Sequence, residues 1–513
     1  MNDSSGHPDP PSTTDGRAAP APAPAPPAPA RRPAKNQPTK ATKAAVGAKG
    51  AAAGRSPTKA AGTTKRSGAG LGAAGARPRG TGSRSRTGPS SAPVSSQPSA
   101  DGPTGGGATD PGPTPGGGPW RGGPRRRLTL YDRRLQTANE RWSLVPRTLA
   151  RLFRHPDLVL ALLGKRAAVE RDGRVLNRSA QALVELTNRF GGEAGGSPEA
   201  ARRYDPTLMR TRLRRAAPAV MPVRTDVHVA GRVVTGPTGA PDISLRIYRR
   251  FGSGLRSWRG GRDLLPAIVY FHGGGWVAGD LDTHDASCRM LAAASRCLVV
   301  AVDYRLAPEH AFPAAVDDAL AAYAWVHRHC GELGIAEGQV GVMGDSAGGN
   351  LAAVVAQETR SGGPAAVADL PPPVAQGLVY PVADVRFDTP SMQTMGAGFL
   401  LTRDTMEYYR GEYLPRRADW VTPRASPLLA GDLSGLAPAL VVTAGFDPLR
   451  DDGANYAEAL RTAGVDVEYR CYDDQIHGFM GMGVLSDSLA LATEVCDSMG
   501  RLMRRSAPKG PPA

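Results

Sequence analysis

This chain of 513 residues has no long apolar run, no evident secretory signal and no C-x-x-C cysteine spacing. No run of about 18 apolar residues occurs, so no transmembrane helix is expected. The N-terminus lacks a charged segment followed by an apolar one, and residues 21–30 alternate alanine with proline, which predicts no secretory signal. The sequence predicts a reduced, cytoplasmic protein without a disulfide framework or a metal site, because its cysteines are odd in number and lack C-x-x-C spacing: Cys288, Cys297, Cys330, Cys471 and Cys496.

Large apolar side chains are scarce in the N-terminal quarter. Residues 1–119 contain no Phe, Trp, Tyr or Ile, and residues 1–127 carry 19 Lys and Arg against 5 acidic residues. Such a segment buries too little apolar surface to offset the entropy of ordering it. We therefore predict a disordered, basic, Ala/Pro/Gly-rich tail over residues 1–124. Residues 1–127 hold +14 of the chain's net +16, so the rest of the chain is nearly neutral.

The tail has two interpretations. Its spaced Lys and Arg residues between Lys35 and Arg86 could bind polyanions weakly, through salt-sensitive attraction that is independent of sequence. The alternative is a solvated low-complexity extension with no dedicated partner. Both remain open at this stage.

The remaining sequence divides into a helical part and an alternating part. Residues 125–215 follow a helical apolar pattern, whereas residues 216–507 alternate strand and helix patterns. Segments 226–234 and 243–250 predict a hairpin. A mostly parallel sheet of eight strands flanked by helices is expected, because apolar runs recur between helical segments at Ala267–Phe271, Cys297–Val302, Val340–Met343, Gly377–Tyr380, Leu440–Thr443 and Val465–Cys471. The insertion at 386–436 interrupts this rhythm.

A Gly-x-Ser-x-Gly motif occurs at Gly344–Gly348, between an apolar run and a helical pattern. This spacing is typical of a nucleophile elbow, a tight turn that pushes the side chain of Ser346 clear of the sheet. The small flanking glycines let neighbouring backbone approach closely. In a chain this rich in Gly and Ala, the motif alone could also be an ordinary glycine-rich helix start.

Three consecutive glycines follow the strand pattern that ends at Phe271, within the segment His272–Trp276. Backbone N–H groups in such a loop can converge on one point without interference from side chains. Acyl transfer requires such donors, because negative charge develops on the carbonyl oxygen. A flexible glycine turn is the alternative interpretation.

Five motifs in this order resemble those of hormone-sensitive-lipase-type (bacterial family IV) esterases of the α/β-hydrolase superfamily. They are His272–Trp276, Asp303–His310 with Phe312–Ala315, Gly344–Asn350, Asp447–Asp451 and His477–Phe479. The resemblance covers roughly residues 200–505. It implies an α/β-hydrolase fold, with a helical cap formed by residues 125–215 and part of the insertion 386–436.

The resemblance also implies roles for individual residues. Ser346 matches the nucleophile, Asp447 the acid and His477 the base, in the chain order of α/β hydrolases. The implied oxyanion hole uses Gly274, Gly275 and Ala347, with Gly273 completing the turn. Asp451 and Asp452 are alternative acids that lie beyond the strand end. Asp345 and Glu309 are interpreted as structural, and His272 as a support for its loop.

The expected function is a serine carboxylester hydrolase that acts on short- to medium-chain acyl esters through an acyl-enzyme. Its substrate is a small-molecule ester, no cofactor is expected, and a homodimer remains an alternative to a monomer. We expect Trp276, Met395, Phe399 and Leu400 to line the acyl pocket. The alternatives on the same fold are a non-catalytic small-molecule receptor, as in the plant gibberellin receptors, a dehydratase or a deacetylase.

Overall fold

The computed structural model describes residues 144–190, 204–251, 264–360 and 367–506. The predicted tail over residues 1–124 lies outside these ranges, as do residues 125–143 of the predicted helical region. The five cysteines lie within them and are free thiols. Among the described residues, no helix is long and apolar enough to cross a bilayer. No three His, Cys, Asp or Glu side chains of this part of the chain are grouped so that they could hold a metal ion.

Ten strands and twelve α-helices form in the described ranges. The strands are β1 (Glu170–Arg171), β2 (Arg174–Val175), β3 (Val227–Val234), β4 (Ile243–Arg250), β5 (Leu265–Phe271), β6 (Leu298–Asp303), β7 (Ile335–Asp345), β8 (Gln376–Val379), β9 (Ala439–Phe446) and β10 (Val467–Ile476). The helices are α1 (Leu144–Phe153), α2 (Pro156–Leu162), α3 (Arg178–Phe190), α4 (Pro206–Val220), α5 (Asp285–Ser295), α6 (Ala314–Arg328), α7 (Cys330–Leu333), α8 (Ala347–Glu358), α9 (Pro390–Thr394), α10 (Arg403–Tyr413), α11 (Arg450–Thr462) and α12 (Ser486–Arg505).

Eight of the strands form one sheet in the order β10-β9-β8-β7-β5-β6-β4-β3. The strands from β10 to β6 are parallel, while β4 pairs antiparallel with both β6 and β3. This confirms the predicted sheet, including the hairpin at its start. Crossover helices between parallel strands place the carboxyl ends of those strands at one edge of the sheet.

The central strands contain continuous apolar runs because both of their faces are covered. In β5, Val269 and Phe271 pack into a core with α6 and α8, whereas Ile268 and Tyr270 pack into a second core with α5 and α12. Side chains alternate between the two faces of a strand, so a strand buried on both faces has no polar side. This is why continuous apolar runs predicted the strands.

A third core joins the N-terminal helices to the edge of the sheet. Side chains of α1, α2 and α3 pack there against Met395 and Phe399 of the insertion, and against Phe446 and Ile476 at the ends of β9 and β10. The region 125–215 is not entirely helical, because β1 and β2 form a small antiparallel hairpin in it. These two-residue strands are mostly polar, so they leave no alternating pattern in the sequence.

Candidate active site

Ser346 lies between the end of β7 and the start of α8 in a strained turn. Its backbone has φ 55° and ψ −119°, a region that L-residues rarely occupy. A Cβ atom added to Gly344 would collide with the carbonyl oxygen of Gly348, and one added to Gly348 would collide with that of Phe271. Only glycine therefore fits at positions 344 and 348, two residues before and two residues after Ser346. The serine side chain is aimed at the carboxyl edge of the sheet, where it is 8% exposed.

Three polar side chains meet at this edge in a chain of hydrogen bonds. Nε2 of His477 lies 3.1 Å from Oγ of Ser346, and Nδ1 of His477 lies 2.8 Å from Oδ2 of Asp447. Asp447 directly follows β9 and His477 directly follows β10, which pair in parallel. Adjacent parallel strands thus bring the carboxylate and the imidazole together, although they are far apart in sequence.

The carboxylate of Asp447 is fully buried and held from both sides. Its Oδ1 accepts a hydrogen bond from the Leu449 N–H at 2.8 Å, while its Oδ2 faces the imidazole. The imidazole also packs on the ring of Tyr380, with the ring centroids 4.5 Å apart. These contacts fix the orientation of His477. A hydroxyl, an imidazole and a carboxylate in this arrangement can move a proton from oxygen to nitrogen and stabilise the resulting cation.

Neither alternative acid touches the histidine. Asp451 accepts hydrogen bonds from the Ser391 N–H and from Arg450, and Asp452 accepts one from the Ala383 N–H at 2.8 Å. Asp447 is the carboxylate that contacts His477.

The glycine loop lies beside the serine because β5 and β7 pair in parallel, with Phe271 opposite Gly344. Gly274 and Gly275 have φ values of 124° and 63°, which turn the backbone in a way that favours glycine. Within the described part of the chain, the N–H groups of Gly274, Gly275 and Ala347 have no hydrogen-bond acceptor. Free backbone donors beside a nucleophile are the arrangement that an oxyanion requires.

The carboxylate of Asp345 is hydrogen-bonded to the glycine loop. Its Oδ1 accepts hydrogen bonds from the Gly273 N–H at 3.0 Å and from the Tyr270 hydroxyl at 2.6 Å. Burial by itself raises the pKa of Asp345, but the charge and hydrogen bond of His284 and the Tyr270 hydrogen bond outweigh it, so this pKa falls to about 2. Asp345 is therefore an anionic anchor, and the N–H of Gly273 is already engaged.

His272 is a supporting residue in this geometry. Its ring stacks on Tyr304 with centroids 4.2 Å apart, and the Tyr304 hydroxyl donates to the His272 carbonyl oxygen at 2.7 Å. Burial, together with the nearby His284, lowers the pKa of His272 to about 4. The imidazole is therefore neutral near pH 7, and its contacts are with the loop rather than with Ser346.

The four residues expected to line the acyl pocket do not lie in one group. Met395, Phe399 and Leu400 pack together in the third core, where the rings of Phe399 and Phe446 have centroids 5.1 Å apart. Trp276 belongs to a different core, is fully buried and stacks on Tyr413 at 4.7 Å.

Sequence analysis missed two residues next to the glycine loop. The ring of Tyr409 on α10 lies where a Cβ atom of Gly275 would be. Arg210 on α4 donates from Nε to the Val277 carbonyl oxygen at 2.7 Å, just after the loop. Neither belongs to a motif, and both reach the loop through tertiary contacts.

Known proteins are similar to this chain in sequence. A family model described as an alpha/beta hydrolase fold matches residues 268–481. The carboxylic ester hydrolase LipN of Mycobacterium tuberculosis is 42% identical over 324 residues, which cover 63% of this chain and 81% of that protein. The ethyl acetate hydrolase of Pseudomonas putida is 43% identical over 217 residues, covering 42% of this chain and 67% of that protein.

Solved structures are similar as well. The ester-hydrolase EH1AB1 from the metagenome of Lake Arreo aligns with a TM-score of 0.57 and 36% identity, covering 64% of this chain and 98% of that chain. A thermostable esterase from Pseudomonas putida ECU1011 aligns with a TM-score of 0.58 and 32% identity, covering 66% and 100% of the two chains.

Fold and site together define an α/β hydrolase. The chain belongs to the hormone-sensitive-lipase-type (family IV) esterases of that superfamily, and it is a carboxylesterase-like hydrolase with carboxylester hydrolase activity. The relatives above are named as hydrolases and esterases, so they do not support the alternative of a non-catalytic receptor.

Proposed function

We propose that this hydrolase cleaves short- to medium-chain acyl esters through an acyl-enzyme intermediate on Ser346. The observation that carries the proposal is the chain of hydrogen bonds from Ser346 through His477 to Asp447, beside three unpaired backbone N–H groups. This arrangement supports assigning a nucleophile, its base, the group that orients the base and an anion site to one edge of the sheet.

In the first half of the reaction, Nε2 of His477 accepts the hydroxyl proton as Oγ of Ser346 attacks the ester carbonyl carbon. Negative charge moves onto the carbonyl oxygen, where the N–H groups of Gly274, Gly275 and Ala347 stabilise it. Loss of one such donor costs about 2.7–4 kcal/mol of barrier in comparable sites. The intermediate then collapses, the C–O bond to the alcohol breaks, and the imidazolium of His477 protonates the departing oxygen.

In the second half, water replaces the alcohol. His477 accepts a proton from this water while the water oxygen attacks the acyl carbon. The same N–H groups stabilise the new oxyanion. Collapse breaks the bond to Oγ and returns the proton to Ser346. The products are one alcohol and one carboxylic acid. Asp447 holds the imidazole in the required tautomer throughout and stabilises the imidazolium.

The proposed size limit on the acyl group follows from the covered site. Ser346 is nearly buried, and the cap helices α1–α3 pack against the insertion that carries Met395 and Phe399. Each buried methylene contributes roughly 0.8 kcal/mol until the pocket is full. We therefore expect kcat/KM to rise from acetyl to about butyryl or hexanoyl esters and then to fall, without activation at a lipid interface.

Substitution of the serine and of the histidine tests the mechanism. We expect Ser346→Ala and His477→Ala each to lower kcat for p-nitrophenyl butyrate by roughly 10⁴-fold or more, because the members of a triad act as a unit. Ser434→Ala and His310→Ala are matched controls, since both of these residues are exposed. Melting temperatures of all four variants report folding.

A folded Ser346→Ala variant that retains more than about a hundredth of the wild-type kcat would refute the assignment. Mass spectrometry after incubation with a fluorophosphonate gives an independent measurement. The adduct should form on Ser346 in the wild type and be absent from both Ser346→Ala and His477→Ala.

A further inference from the structure

Tyr409 covers one side of the oxyanion loop. It lies on α10, which belongs to the insertion between β8 and β9. A Cβ atom added to Gly275 would fall against Cγ, Cδ1 and Cδ2 of the Tyr409 ring, so the ring lies directly over the backbone of this glycine. The side chain is half-buried, and burial raises its pKa above the ordinary value for tyrosine.

Neighbouring rings and the cap helix hold Tyr409 in place. Its ring centroid is 5.8 Å from that of Tyr408, which is 4.8 Å from that of Tyr204. Tyr204 lies just before α4, whose Arg210 is bonded to the carbonyl oxygen of Val277. The same segments that carry the loop therefore support the ring from behind. The ring of Tyr409 therefore lies between the backbone of Gly275 and the ring of Tyr408.

The chemistry decides which part of the ester this ring meets. The alcohol oxygen must lie near Nε2 of His477, since that group protonates it on departure. The carbonyl oxygen must lie at the N–H groups of Gly274 and Gly275. The acyl chain then extends away from the histidine, and Tyr409 covers the loop that binds the carbonyl oxygen.

Met395 and Phe399 lie elsewhere. They pack with Phe446 and Ile476 in the third core, where all four side chains are fully or nearly fully buried.

We infer that Tyr409 is a specificity-determining residue that ends the acyl pocket and sets the upper size of the acyl group. The inference rests on the ester hydrolysis proposed above. The ring excludes long acyl chains by occupying space beside the oxyanion loop, and its hydroxyl is not needed for this.

The test compares acyl length at a constant alcohol. We measure kcat/KM for p-nitrophenyl esters from acetyl to decanoyl with the wild type, Tyr409→Ala and Tyr409→Phe. In Tyr409→Ala, the ratio of kcat/KM for decanoyl over acetyl should rise at least about tenfold, because removal of the ring opens room for more than one methylene. Tyr409→Phe keeps the ring and should keep the wild-type ratio.

Two further variants serve as controls for the effect of Tyr409 on acyl length. Glu407 is exposed on the same helix, so Glu407→Ala should leave the acyl profile unchanged. Phe399→Ala removes a buried ring of the third core, so its decanoyl-to-acetyl ratio should stay near that of the wild type. If Phe399→Ala extends the acyl range and Tyr409→Ala does not, the inference is overturned.

Failure of this inference is distinguishable from failure of the proposed function. An enzyme whose Ser346→Ala variant remains active would refute the mechanism, whatever the acyl profile is. A wild type that depends on Ser346, together with a folded Tyr409→Ala variant of unchanged profile, would refute the role of Tyr409 alone. Tyr409→Leu, which removes the ring but keeps an apolar side chain, serves if the alanine variant does not fold.

Discussion

Asp452 is a buried carboxyl group behind the proposed acid Asp447. Its Oδ2 accepts hydrogen bonds from the N–H groups of Ala383 and Asp384 at 2.8 and 3.3 Å, while its Oδ1 has no partner among the described residues. Burial, with smaller contributions from the charges of Asp384 and Asp447, raises the pKa of Asp452 to about 8. The folded protein therefore holds a proton on Asp452 near neutral pH.

This raised pKa predicts a pH dependence of stability. Between about pH 4, near the ordinary value of 3.8, and about pH 8, the folded state binds a proton that the unfolded state has released. The free energy of unfolding therefore falls as pH rises through this window and levels off above it. Asp452→Asn mimics the protonated carboxyl group, so its melting temperature relative to the wild type should increase from pH 4 to pH 8.

Thermal denaturation between pH 4 and pH 9 measures this difference. Asp388→Asn replaces an exposed aspartate and serves as the control. If the melting temperatures of Asp452→Asn and the wild type change in parallel with pH, Asp452 is ionised in the folded protein.

At the scale of elements, α4 connects the N-terminal helices to the glycine loop. None of its side chains is fully buried, and polar contacts of Arg210 contribute to its position. Arg210 donates to the carbonyl oxygens of Val277 at 2.7 Å and Ala307 at 2.8 Å, and it binds both carboxylate oxygens of Glu309. The hydrogen bond from Arg210 is the main reason that the pKa of Glu309 falls to about 2.

We predict that Arg210→Ala lowers kcat by roughly ten- to a hundredfold, because small displacements of the oxyanion donors are costly in the transition state. Arg210→Lys should be intermediate, since an ammonium group cannot make all of these contacts at once. Arg212→Ala is the matched control, because Arg212 is exposed on the same helix.

Binding of a trifluoromethyl ketone, which mimics the tetrahedral intermediate, separates positioning from ordinary binding. Arg210→Ala should weaken its inhibition in proportion to the loss of kcat/KM. An increase in KM with no change in kcat would show that Arg210 contributes to substrate binding and does not position the proposed oxyanion donors.

The hairpin β1–β2 also connects the N-terminal region to the rest of the fold through polar contacts. Arg174 pairs with Asp473 of β10 at 2.7 Å, and Asp172 pairs with Arg450 of α11 at 3.2 Å. The hairpin thus contacts the two elements that flank Asp447 and His477. Its partners are distant in sequence, which is why no local pattern revealed it.

At the scale of the whole molecule, most of the net positive charge lies near the N-terminus, whereas the proposed reacting residues lie between positions 346 and 477. Deletion of residues 1–119 should leave kcat and the melting temperature nearly unchanged, because that segment has almost no large apolar side chains to pack onto a core. It should also abolish any salt-sensitive retention on heparin or on anionic vesicles, since it removes most of the net positive charge.

A fall of several degrees in the melting temperature on deletion would contradict the prediction that this segment does not pack on the core. Full-length protein that is not retained at low salt would favour the solvated extension over the polyanion-binding tail.

The sequence by itself determined the sheet and located the proposed reacting groups. Strands covered on both faces must be apolar throughout, and a tight turn at Ser346 admits only small neighbours, so both leave local patterns. The resemblance to family IV esterases implied the roles proposed for Asp447 and His477, and each of these residues follows a strand whose carboxyl end lies at the same edge of the sheet.

Only the tertiary structure decided what surrounds these groups. The ring of Tyr409 lies on Gly275, and Arg210 donates a hydrogen bond to the Val277 carbonyl oxygen beside the glycine loop. Trp276 stacks on Tyr413 in a different core from the one that contains Met395. Each contact joins residues that are far apart in the chain and belong to no common motif. Such pairings depend on how whole elements pack, and packing leaves no periodic or local trace in the sequence of either partner.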